Sequence, residues 1–540
     1  MCGIFGAING DSVTPSLLAG LEALAYRGYD SSGIAIAAAS GLQRRRAQGK
    51  IGNLQHAVHQ APLDGTTGIG HTRWATHGRP DERNAHPHMT DQVAVVHNGI
   101  IENYQQLRSE LKQQGVQFSS DTDSEVIPCL ISQALQQGMD HFRAIRNSLA
   151  RLQGSFAIAA IFSDNPDYIY AARMGSPLVI GKTEGAHYLA SDSNALSDKA
   201  DYACHLEDGD LACISRHQVI IVDHHGRTVE REFSPLEEGQ GDHGKQGFAH
   251  YMLKEIHQQP DIIDQLLNYY RHQAAGQQAL ARTCQLLRSK QRLAMVACGS
   301  SYYAGMVGKY WLEQNAAMPV DLDIASEYRY RNSPMTADSA ALFISQSGET
   351  ADTLAALRYC QEKADKILSV VNVPESSIAR ESDLALPILA GAEIGVASTK
   401  AFTCQLTVLL MMALKAAEQR GTLTPERLSD LLSGLRALPN TLNTALEQDG
   451  NIANAARKLS EASDVLFLGR GLMYPLALEG ALKLKEISYI HAEAYASGEL
   501  KHGPIALIDK HLPVVVMAPR DGLFDKTVSN MQEVLARGGK

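Results

Sequence analysis

The chain has 540 residues, of which 44% are hydrophobic and 20% are charged, a composition typical of a globular protein of about three domains. Its formal net charge is −10 and it contains no block of basic residues, so a nucleic-acid partner is not expected. Its longest uncharged apolar run, 406–414, is too short to cross a bilayer, and no secretory signal is expected at its start. Eight scattered cysteines without metal-ligand spacing indicate a reducing cytoplasm.

The chain opens with Met1 and Cys2, followed by an apolar, glycine-spaced segment, Gly3 to Ile8, that predicts a buried strand. Removal of Met1 would give Cys2 both a thiol and a free α-amine. Because an α-amine has a pKa of about 7.7–8.0, part of it is unprotonated near neutral pH and can accept the thiol proton. Cys2 is therefore a candidate nucleophile, and the alternative is a frayed terminus without function.

Short strands and helices alternate up to about residue 240, which predicts an α+β domain. The strand candidates are 93–96, 156–162 and 219–222, and the helix candidates are 15–25, 104–113 and a segment after Asp123. Residues 234–250 are polar and rich in glycine, which predicts a linker. A helical pattern restarts over 251–271, broken or turned near Pro260.

Polar clusters interrupt the first domain at 26–30, 71–78, 97–99 and 121–123. An enzyme that attacks glutamine with a thiol needs an arginine for the α-carboxylate, an acid for the α-ammonium group and donors for the oxyanion. Arg73 and Asp123 are candidates for the first two roles. The Asn98 side-chain amide and the Gly99 backbone N–H are candidate oxyanion donors.

Two alternatives apply to the same clusters. An isolated Asn-Gly pair such as Asn98-Gly99 favours a type I′ hairpin turn. The histidines of the region could also form a metal site, although zinc ligands usually have tighter spacing or an accompanying Cys or carboxylate motif; these are His71, His77, His86, His88 and His97.

From residue 290 apolar strands, Gly/Ser loops and helices alternate, which predicts a parallel sheet covered on both faces. The strand candidates are 293–297, 341–344, 367–373 and 384–389. Ligands bind at the carboxyl ends of such strands, where helix N-termini present free N–H groups. Three hydroxyls in the loop 345–350 and Ser301 on a neighbouring loop favour a phosphate, and simple helix capping is the alternative.

The second half repeats internally. Residues 465–471 resemble 294–299, and 514–518 resemble 341–345, so two lobes are predicted, one over 285–445 and one from 455. A dinucleotide loop at 469–471 is a further alternative, but Tyr474 stands where the third glycine would lie. The repeat also aligns Lys540 with the first lobe's third strand, so the second lobe is expected to be incomplete and to have two strands.

The ordered clusters together resemble known families. Cys2-Gly3-Ile4-Phe5-Gly6, Tyr26-Arg27-Gly28-Tyr29-Asp30, the segment 71–78 and His97-Asn98-Gly99-Ile100 resemble the N-terminal-nucleophile glutaminase domain of glutamine amidotransferases. The segments 298–301, 345–350, 396–400 and 479–486 resemble the sugar isomerase (SIS) half of the isomerizing glutamine–fructose-6-phosphate aminotransferase family. The resemblance implies a four-layer αββα glutaminase domain at 1–240, a linker and connecting helix at 241–284, and α/β SIS lobes with parallel sheets at 285–445 and 455–540.

The resemblance also implies roles for individual residues, which fall into three groups and one gate residue. The catalytic group is Cys2, Asn98, Gly99, Glu486, Lys483 and His502, the last supplied by the other subunit of a homodimer. The glutamine-binding group is Arg73, Thr76, His77 and Asp123, with Trp74 as the gate of an ammonia channel. The sugar-phosphate group is Ser300, Ser301, Ser345, Gln346, Ser347, Thr350, Val396 and Ser398. No metal or organic cofactor is implied.

The implied reaction is hydrolysis of glutamine at Cys2 and transfer of ammonia to fructose 6-phosphate, which yields glucosamine 6-phosphate and glutamate for hexosamine synthesis. In the family a C-terminal tail carries the lysine that forms a Schiff base, and no residue of this chain, Lys540 included, matches it. Glutaminase chemistry is therefore expected, with sugar amination weak or absent. The alternatives for the whole chain are a glutaminase alone and a sugar-phosphate-binding regulator. Without the resemblance, Lys483 would be interpreted as a helix-surface partner of Glu479 and Glu486 as a solvated side chain.

Overall fold

The sheets are antiparallel in the first part of the chain and parallel in the second, and the chain divides between them into two units, Met1–Asp242 and His243–Lys540. The computed structural model describes residues 2–38, 40–236, 245–336 and 338–540, without the side chain of Tyr26. Met1 and residues 237–244 of the predicted linker lie outside the described residues.

The strands of the first unit form two antiparallel sheets within the described residues, ordered β15-β11-β9-β10-β1-β4-β2-β3 and β14-β13-β12-β8-β7-β6-β5. These strands are β1 (Gly3–Ile8), β2 (Ser31–Ala38), β3 (Gly41–Gln48), β4 (Thr67–Arg73), β5 (His88–Met89), β6 (Val93–Ile101), β7 (Gly154–Phe162), β8 (Ile169–Met174), β9 (Val179–Thr183), β10 (Ala186–Ala190), β11 (Tyr202–His205), β12 (Leu211–Ile214), β13 (Val219–Val222), β14 (Thr228–Val229) and β15 (Ser234–Pro235). The helices are α1 (Thr14–Ala23), α2 (Ile51–Gln60), α3 (Tyr104–Gln113), α4 (Val126–Gln136) and α5 (His141–Leu149).

Alternation along the strands produces four layers. In β6, Val93 and Val95 face a core shared with α3, α4 and α5, while Ala94 and Val96 face the other sheet, as the period of two in a strand requires. The outer face of the first sheet packs on α1 and α2. This helix–sheet–sheet–helix arrangement confirms the αββα fold.

Helix α1 packs closely on β1 because Gly20 has no side chain. A Cβ atom added at Gly20 would lie 2.4 Å from the ring of Phe5, which is fully buried. In α2, by contrast, a Cβ atom at Gly52 would meet nothing within 4 Å. Of these two helical glycines, Gly20 is packed against a neighbouring strand and Gly52, in the first turn of α2, is not.

Gly20→Ala and Gly52→Ala are expected to have opposite effects on stability. Alanine favours a helix by about 1 kcal/mol over glycine, but overpacking a core costs roughly 1–3 kcal/mol. We expect Gly20→Ala to lower the unfolding free energy of the first unit by roughly 1–2 kcal/mol and Gly52→Ala to raise it by up to about 1 kcal/mol. Thermal unfolding of both variants measures this, and equal stabilisation by both would contradict the packing of α1 on β1.

The strands of the second unit form two parallel sheets within the described residues, ordered β17-β16-β18-β19-β20 and β22-β21-β23. These strands are β16 (Arg292–Ala297), β17 (Val320–Ile324), β18 (Ser339–Ser345), β19 (Lys366–Val371), β20 (Leu384–Pro387), β21 (Asp464–Gly469), β22 (His491–Ala496) and β23 (Val514–Val516). The helices are α6 (Tyr251–His272), α7 (Ala274–Arg288), α8 (Gly299–Ala316), α9 (Ala325–Tyr328), α10 (Ala351–Gln361), α11 (Ser377–Arg380), α12 (Lys400–Arg420), α13 (Pro425–Leu446), α14 (Asp449–Leu459), α15 (Met473–Ser488) and α16 (Phe524–Ala536).

Helices cover both faces of each parallel sheet, which confirms the α/β prediction. Helix α12 is long and apolar enough to cross a membrane by length and composition. However, 72% of its apolar stretch is buried inside the fold, where α12 packs on α7 and α8. Helix α12 is therefore a core helix of the first parallel sheet.

Two sequence predictions about this unit are wrong. Helix α6 continues through Pro260, because the face formed by Ile263, Leu266 and Leu267 is buried in the core, and this packing outweighs the backbone hydrogen bond that proline removes. The second lobe has three strands, since β22 pairs with β21 as β17 pairs with β16. The sequence His491–Ala496 was missed because its residues do not form the continuous apolar run that marked the other strands.

Candidate active site

Cys2 lies at the start of the central strand β1, which is hydrogen-bonded on one side to β4 and on the other to β10. The Trp74 backbone N–H donates to Cys2 Sγ at 3.3 Å, and the thiol lies 3.5 Å from the Trp74 carbonyl oxygen. The alternative of a frayed terminus is therefore wrong for Cys2, because the pairing of the adjacent strand and these contacts fix its position.

The surroundings of Cys2 keep its sulfur in the thiol form. Burial raises the pKa of the thiol above its usual value, and the Asp123 carboxylate raises it further, while the Trp74 N–H and the Arg73 charge oppose this effect. Since the neutral form is favoured, attack on an amide requires a base that accepts the thiol proton. This requirement agrees with the α-amine expected on a processed Cys2.

Asn98 and Gly99 lie inside strand β6, so the hairpin-turn alternative is wrong. Gly99 pairs with Phe156 of β7 and has a φ of +129°, and a Cβ atom there would lie 2.0 Å from the Ser155 carbonyl oxygen. Only glycine fits this backbone position. The Asn98 amide reaches across to β1, where Nδ2 donates to the Cys2 carbonyl oxygen at 3.1 Å.

Four of the five candidate metal-binding histidines form a buried cluster, and one of them, His71, contacts Asn98. The rings of His71 and His86 stack with centroids 4.1 Å apart, and the rings of His86 and His88 meet edge to face at 4.5 Å. Burial lowers the pKa of all four, and that of His71 falls to about 3; the four are His71, His86, His88 and His97. No group of three or more His, Cys, Asp or Glu side chains in the described ranges could hold a metal ion.

Arg73, predicted to bind an α-carboxylate, is buried and holds a loop in this structure. Its Nη2 donates to the carbonyl oxygens of His77 and Gly78, and its Nη1 donates to that of Arg79. A guanidinium binds a carboxylate bidentately through its Nε and Nη2 hydrogens or through its Nη1 and Nη2 hydrogens. Both arrangements use an Nη2 hydrogen. Bidentate binding of a carboxylate would therefore require Arg73 to release a carbonyl of the loop.

Asp123 lies in a buried turn before α4, and its Oδ2 accepts a hydrogen bond from the Ile101 N–H at 2.9 Å. Glu125 fixes this turn, since its carboxylate accepts hydrogen bonds from the backbone N–H and hydroxyl groups of Ser119 and Ser120. The bond to Ile101 places Asp123 two residues along β6 from Gly99. Sequence reasoning identified Asp123 but missed the role of Glu125.

The loop after β4 carries the other predicted glutamine-site residues. Trp74 is 41% exposed, and its ring packs edge to face on Tyr29, with centroids 5.2 Å apart. Asp30 accepts a hydrogen bond from the Ala75 N–H at 2.8 Å. Thr76 is exposed and His77 half-buried, with the His77 ring against Tyr104. The contacts of Tyr29 and Asp30 join two of the polar clusters into one surface.

The predicted phosphate loop follows β18 and leads into α10. Ser345 Oγ and Thr350 Oγ1 lie 3.0 Å apart, and Ser345 Oγ also accepts from the Gly348 N–H at 3.0 Å. Thr350 is the N-cap residue of α10, but its side chain makes no capping hydrogen bond. Capping alone therefore does not explain these hydroxyls. Gln346 and Ser347 are half-buried in the same loop.

Ser300 and Ser301 begin α8 at the carboxyl end of β16, which pairs in parallel with β18. The two serine loops therefore lie at the same edge of the sheet. Ser301 Oγ accepts from Gln405 at 2.9 Å, whereas Ser300 Oγ donates to Glu479 Oε1 at 2.9 Å and accepts from Lys483 Nζ at 3.2 Å. Ser300 thus joins the first lobe to helix α15.

Lys483 lies between two carboxylates on one face of α15. Its Nζ is 2.6 Å from Glu486 Oε2 and 3.4 Å from Glu479 Oε1. The side chains of Lys483 and Glu479 are only 17% and 8% exposed. The surface-pair alternative for Lys483 is therefore wrong, although the i,i+4 spacing with Glu479 is correct. Burial raises the pKa of Glu479, and the Lys483 charge opposes this.

Val396 and Ser398 lie on a loop fixed by two carboxylates. Glu393 accepts hydrogen bonds from the Ser398 hydroxyl at 3.1 Å and the Thr399 N–H at 2.8 Å. Glu255, buried in α6, accepts from the backbone N–H groups of residues 394 and 395. Val396 itself is 49% exposed, so its side chain is available to a ligand.

His502 is exposed at the end of the short helical segment Ser497–His502. Within the described part of the chain, no hydrogen bond or ion pair joins His502 to Lys483 or Glu486. One chain therefore brings Ser300, Glu479, Lys483 and Glu486 together but leaves His502 outside this group.

Comparison with known proteins gives the same two parts. A glutamine amidotransferase domain model matches residues 71–198, and an SIS domain model matches residues 286–415 and 458–540. Over 543 residues the chain is 52% identical to glutamine–fructose-6-phosphate aminotransferase [isomerizing] of Mesorhizobium japonicum, with 100% of this chain and 89% of the relative aligned. The enzyme of the same name from Bradyrhizobium diazoefficiens is 51% identical over 541 residues, with the same coverage.

The chain belongs to the isomerizing glutamine–fructose-6-phosphate aminotransferase family. A solved structure, the C-terminal domain of glucosamine-fructose-6-phosphate aminotransferase from Francisella tularensis, is similar with a TM-score of 0.53 and 46% identity. The aligned region covers 55% of this chain and 84% of the solved chain. Membership of this aminotransferase family confirms the resemblance inferred from the sequence and does not favour the glutaminase-only or regulator alternatives.

Two residues of this family member contact the candidate sites but were not predicted for them. Glu479 contacts both Ser300 and Lys483, and its spacing to Lys483 and Glu486, i,i+4 and i,i+7, is a signal that places all three on one helix face. His71 was read only as a metal ligand, yet it contacts Asn98. No spacing in the sequence indicates that contact, because the two residues are on different sheets.

Lys483→Met is expected to destabilise the second unit, because it leaves the Glu479 and Glu486 carboxylates facing each other without a cation. Breaking a buried pair costs roughly 3–5 kcal/mol, and we expect about 3 kcal/mol here because Glu486 is partly exposed. Adding Glu479→Gln should recover part of the loss. Denaturant unfolding measures both variants.

Lys415→Met is the matched control, because Lys415 pairs with Glu418 on an exposed face of α12. Removal of an exposed pair should cost at most about 1 kcal/mol. A Lys483→Met variant as stable as Lys415→Met would contradict the buried arrangement on α15.

Proposed function

We propose that this chain hydrolyses glutamine at Cys2 and uses the ammonia to convert fructose 6-phosphate into glucosamine 6-phosphate. The observation that carries the proposal is the position of Cys2, fixed beside Asn98 and the Trp74 N–H in a family of glutamine-dependent aminotransferases. The proposed division of the chain is a glutaminase domain at 1–240, a linker and connecting helix at 241–284, and SIS lobes at 285–445 and 455–540.

In the first half-reaction the Cys2 sulfur attacks the glutamine amide carbon, and the Cys2 α-amine accepts the thiol proton. The Asn98 Nδ2–H and the Gly99 N–H donate to the oxyanion of the tetrahedral intermediate. Ammonia leaves with a proton returned by the amine, and water then hydrolyses the thioester to glutamate. The raised pKa of the thiol supports a mechanism with an internal base.

Arg73, Thr76, His77 and Asp123 are proposed to bind the glutamine α-carboxylate and α-ammonium groups. Asp123 is buried and lies two residues along β6 from the oxyanion donors, which supports an electrostatic role toward the ammonium group. Trp74 is proposed as the gate through which ammonia leaves. Its partial exposure and its backbone contact with the Cys2 sulfur support this role, because ammonia released into neutral water would be protonated and lose its nucleophilic lone pair.

In the second half-reaction the hydroxyls of the loop 345–350, together with Ser300 and Ser301, are proposed to bind the sugar phosphate at the N-termini of α8 and α10. Val396 and Ser398 would line the sugar. Glu486 is proposed to move the proton between C1 and C2, with Lys483 as its cationic partner at 2.6 Å.

A homodimer is proposed as the active form, with His502 supplied to the partner's sugar site. The exposure of His502 and its separation from Lys483 and Glu486 within one chain support this role. A reducing cytoplasm is proposed as the compartment, and the eight cysteines, all free in the structure, support it.

Cys2→Ala is expected to abolish glutamine hydrolysis, because it removes the sulfur that is proposed to attack the amide carbon. Retention of Met1 should have nearly the same effect, since it converts the α-amine into an amide that cannot accept a proton. Glutamate release, with the N-terminus checked by mass spectrometry, measures both. Hydrolysis at the normal rate by a chain that retains Met1 would rule out the α-amine as the base.

The double variant Ser347→Ala and Thr350→Ala is expected to weaken binding of fructose 6-phosphate by at least tenfold, because each hydrogen bond to a charged group contributes about 1.5 kcal/mol or more. Basal glutaminase activity should be unchanged. Calorimetric titration with fructose 6-phosphate measures the loss.

The control for the phosphate loop is the double variant Thr336→Ala and Ser339→Ala. These hydroxyls also lie 3.0 Å apart, but at the amino end of the same strand, β18. Equal affinities of the two double variants for fructose 6-phosphate would place the phosphate elsewhere.

A further inference from the structure

His71 is a fully buried residue of β4 whose Nε2 faces strand β6 of the other sheet. This nitrogen lies 3.0 Å from the His97 carbonyl oxygen and 3.0 Å from Asn98 Oδ1. Both neighbours are oxygen atoms that only accept hydrogen bonds. Nε2 must therefore carry the ring proton, and a neutral His71 must have its lone pair on Nδ1.

This tautomer determines the orientation of the Asn98 amide. With Oδ1 toward the Nε2–H of His71, the Nδ2 amide group points to β1, where it donates to the Cys2 carbonyl oxygen at 3.1 Å. A flipped amide would place its N–H groups against the Nε2–H and its oxygen against the Cys2 carbonyl oxygen. Both contacts would be repulsive, so the donor end of Asn98 is held on the Cys2 side.

The environment of His71 keeps the ring neutral. The ring stacks on His86, and Nδ1 has no hydrogen-bond partner in the described residues. Burial is the main cause that lowers the pKa of His71 to about 3, and the neighbouring charges of His97 and Arg73 lower it further. Around neutral pH the ring therefore presents one donor, at Nε2.

We propose that His71 is a positioning residue for glutamine hydrolysis, which sets the Asn98 amide so that its N–H faces the oxyanion. This inference rests on the proposed function of Cys2 and Asn98. His71 does not touch the reacting atoms in this scheme, and its effect passes through Asn98 alone. The proposal therefore predicts that the effects of substitutions at His71 and Asn98 on kcat are not additive.

A double-mutant cycle on glutamate release tests the proposal. His71→Leu should lower kcat at least tenfold, up to the loss of about 10²–10³-fold expected for Asn98→Ala, which removes one oxyanion donor, with little change in KM for glutamine. In the Asn98→Ala background, His71→Leu should change kcat by no more than about twofold. Equal losses in both backgrounds would overturn the proposal.

Two further variants separate positioning from a general effect on the fold. His71→Gln can place an amide N–H near the position of Nε2 and should recover at least tenfold in kcat over His71→Leu. His187→Leu is the control, because it removes another buried imidazole, whose Nδ1 lies 2.8 Å from the Ser215 carbonyl oxygen. His187 is on β10 and pairs with Ile8, at the end of β1 far from Cys2. The kcat of His187→Leu should stay near that of the wild type, and a loss equal to that of His71→Leu would contradict the proposal.

The tautomer can be read from the wild-type protein without any variant. ¹⁵N NMR of histidine-labelled protein should show His71 neutral at pH 7 with the proton on Nε2, and a proton on Nδ1 would overturn the proposal even if His71→Leu does not fold. Wild-type glutaminase activity is measured alongside. No hydrolysis by the wild type would contradict the proposed function, whereas active wild type with an unimpaired His71→Leu variant would contradict only the role of His71.

Discussion

The pairing of β1 between β4 and β10 is the constraint on which the candidate glutamine site depends. Chain ends are ordinarily poorly ordered, but here residues 3–8 pair with β4 and residues 5–8 pair with β10 as well. Cys2 is thereby fixed at the edge of a buried core, where the Trp74 N–H from the extension of β4 reaches the sulfur. The thiol, the donors on β6 and the loop after β4 meet only because the two sheets pack face to face.

The candidate glutamine-site residues differ in whether their present contacts can be kept when a ligand binds. Asn98 and Gly99 are held by the register of β6 with β7, so the backbone around the proposed oxyanion donors is set before a ligand binds. Arg73, by contrast, donates its Nη2 hydrogens to carbonyl oxygens of the loop. The same unit thus combines a preorganised centre with an arginine whose partners must change if it is to bind a carboxylate.

Much of this arrangement could be predicted from the sequence, because it depends on local patterns. Short apolar segments between polar turns indicated β6 and β7, and the Gly/Ser loops indicated the carboxyl edge of the parallel sheet. The remainder depends on contacts between distant segments. Asn98-Gly99 favours a hairpin locally, and only the partner strand β7 shows that the pair lies inside a sheet. Glu479 and His71 gain their roles from Ser300 and Asn98, which are far away in the sequence.

The candidate site of the second unit also depends on contacts between distant segments, here those of an ion group instead of a thiol. Lys483 between two carboxylates, with Ser300 from the other lobe, forms a polar group that burial makes costly to break. Such a group is stable only while all its partners are present, so it links the two lobes at the edge where the serine loops lie. This placement of charge beside clustered hydroxyls is what the proposed sugar-phosphate chemistry requires.

Glutamine hydrolysis and sugar amination are proposed to occur on one chain. The most direct measurement is the simultaneous determination of glutamate and glucosamine 6-phosphate formed by the purified protein, with and without fructose 6-phosphate. We expect glucosamine 6-phosphate to form from glutamine and fructose 6-phosphate to change the rate of glutamate release. Glutamate release at an unchanged rate with no amino sugar formed would contradict this proposal.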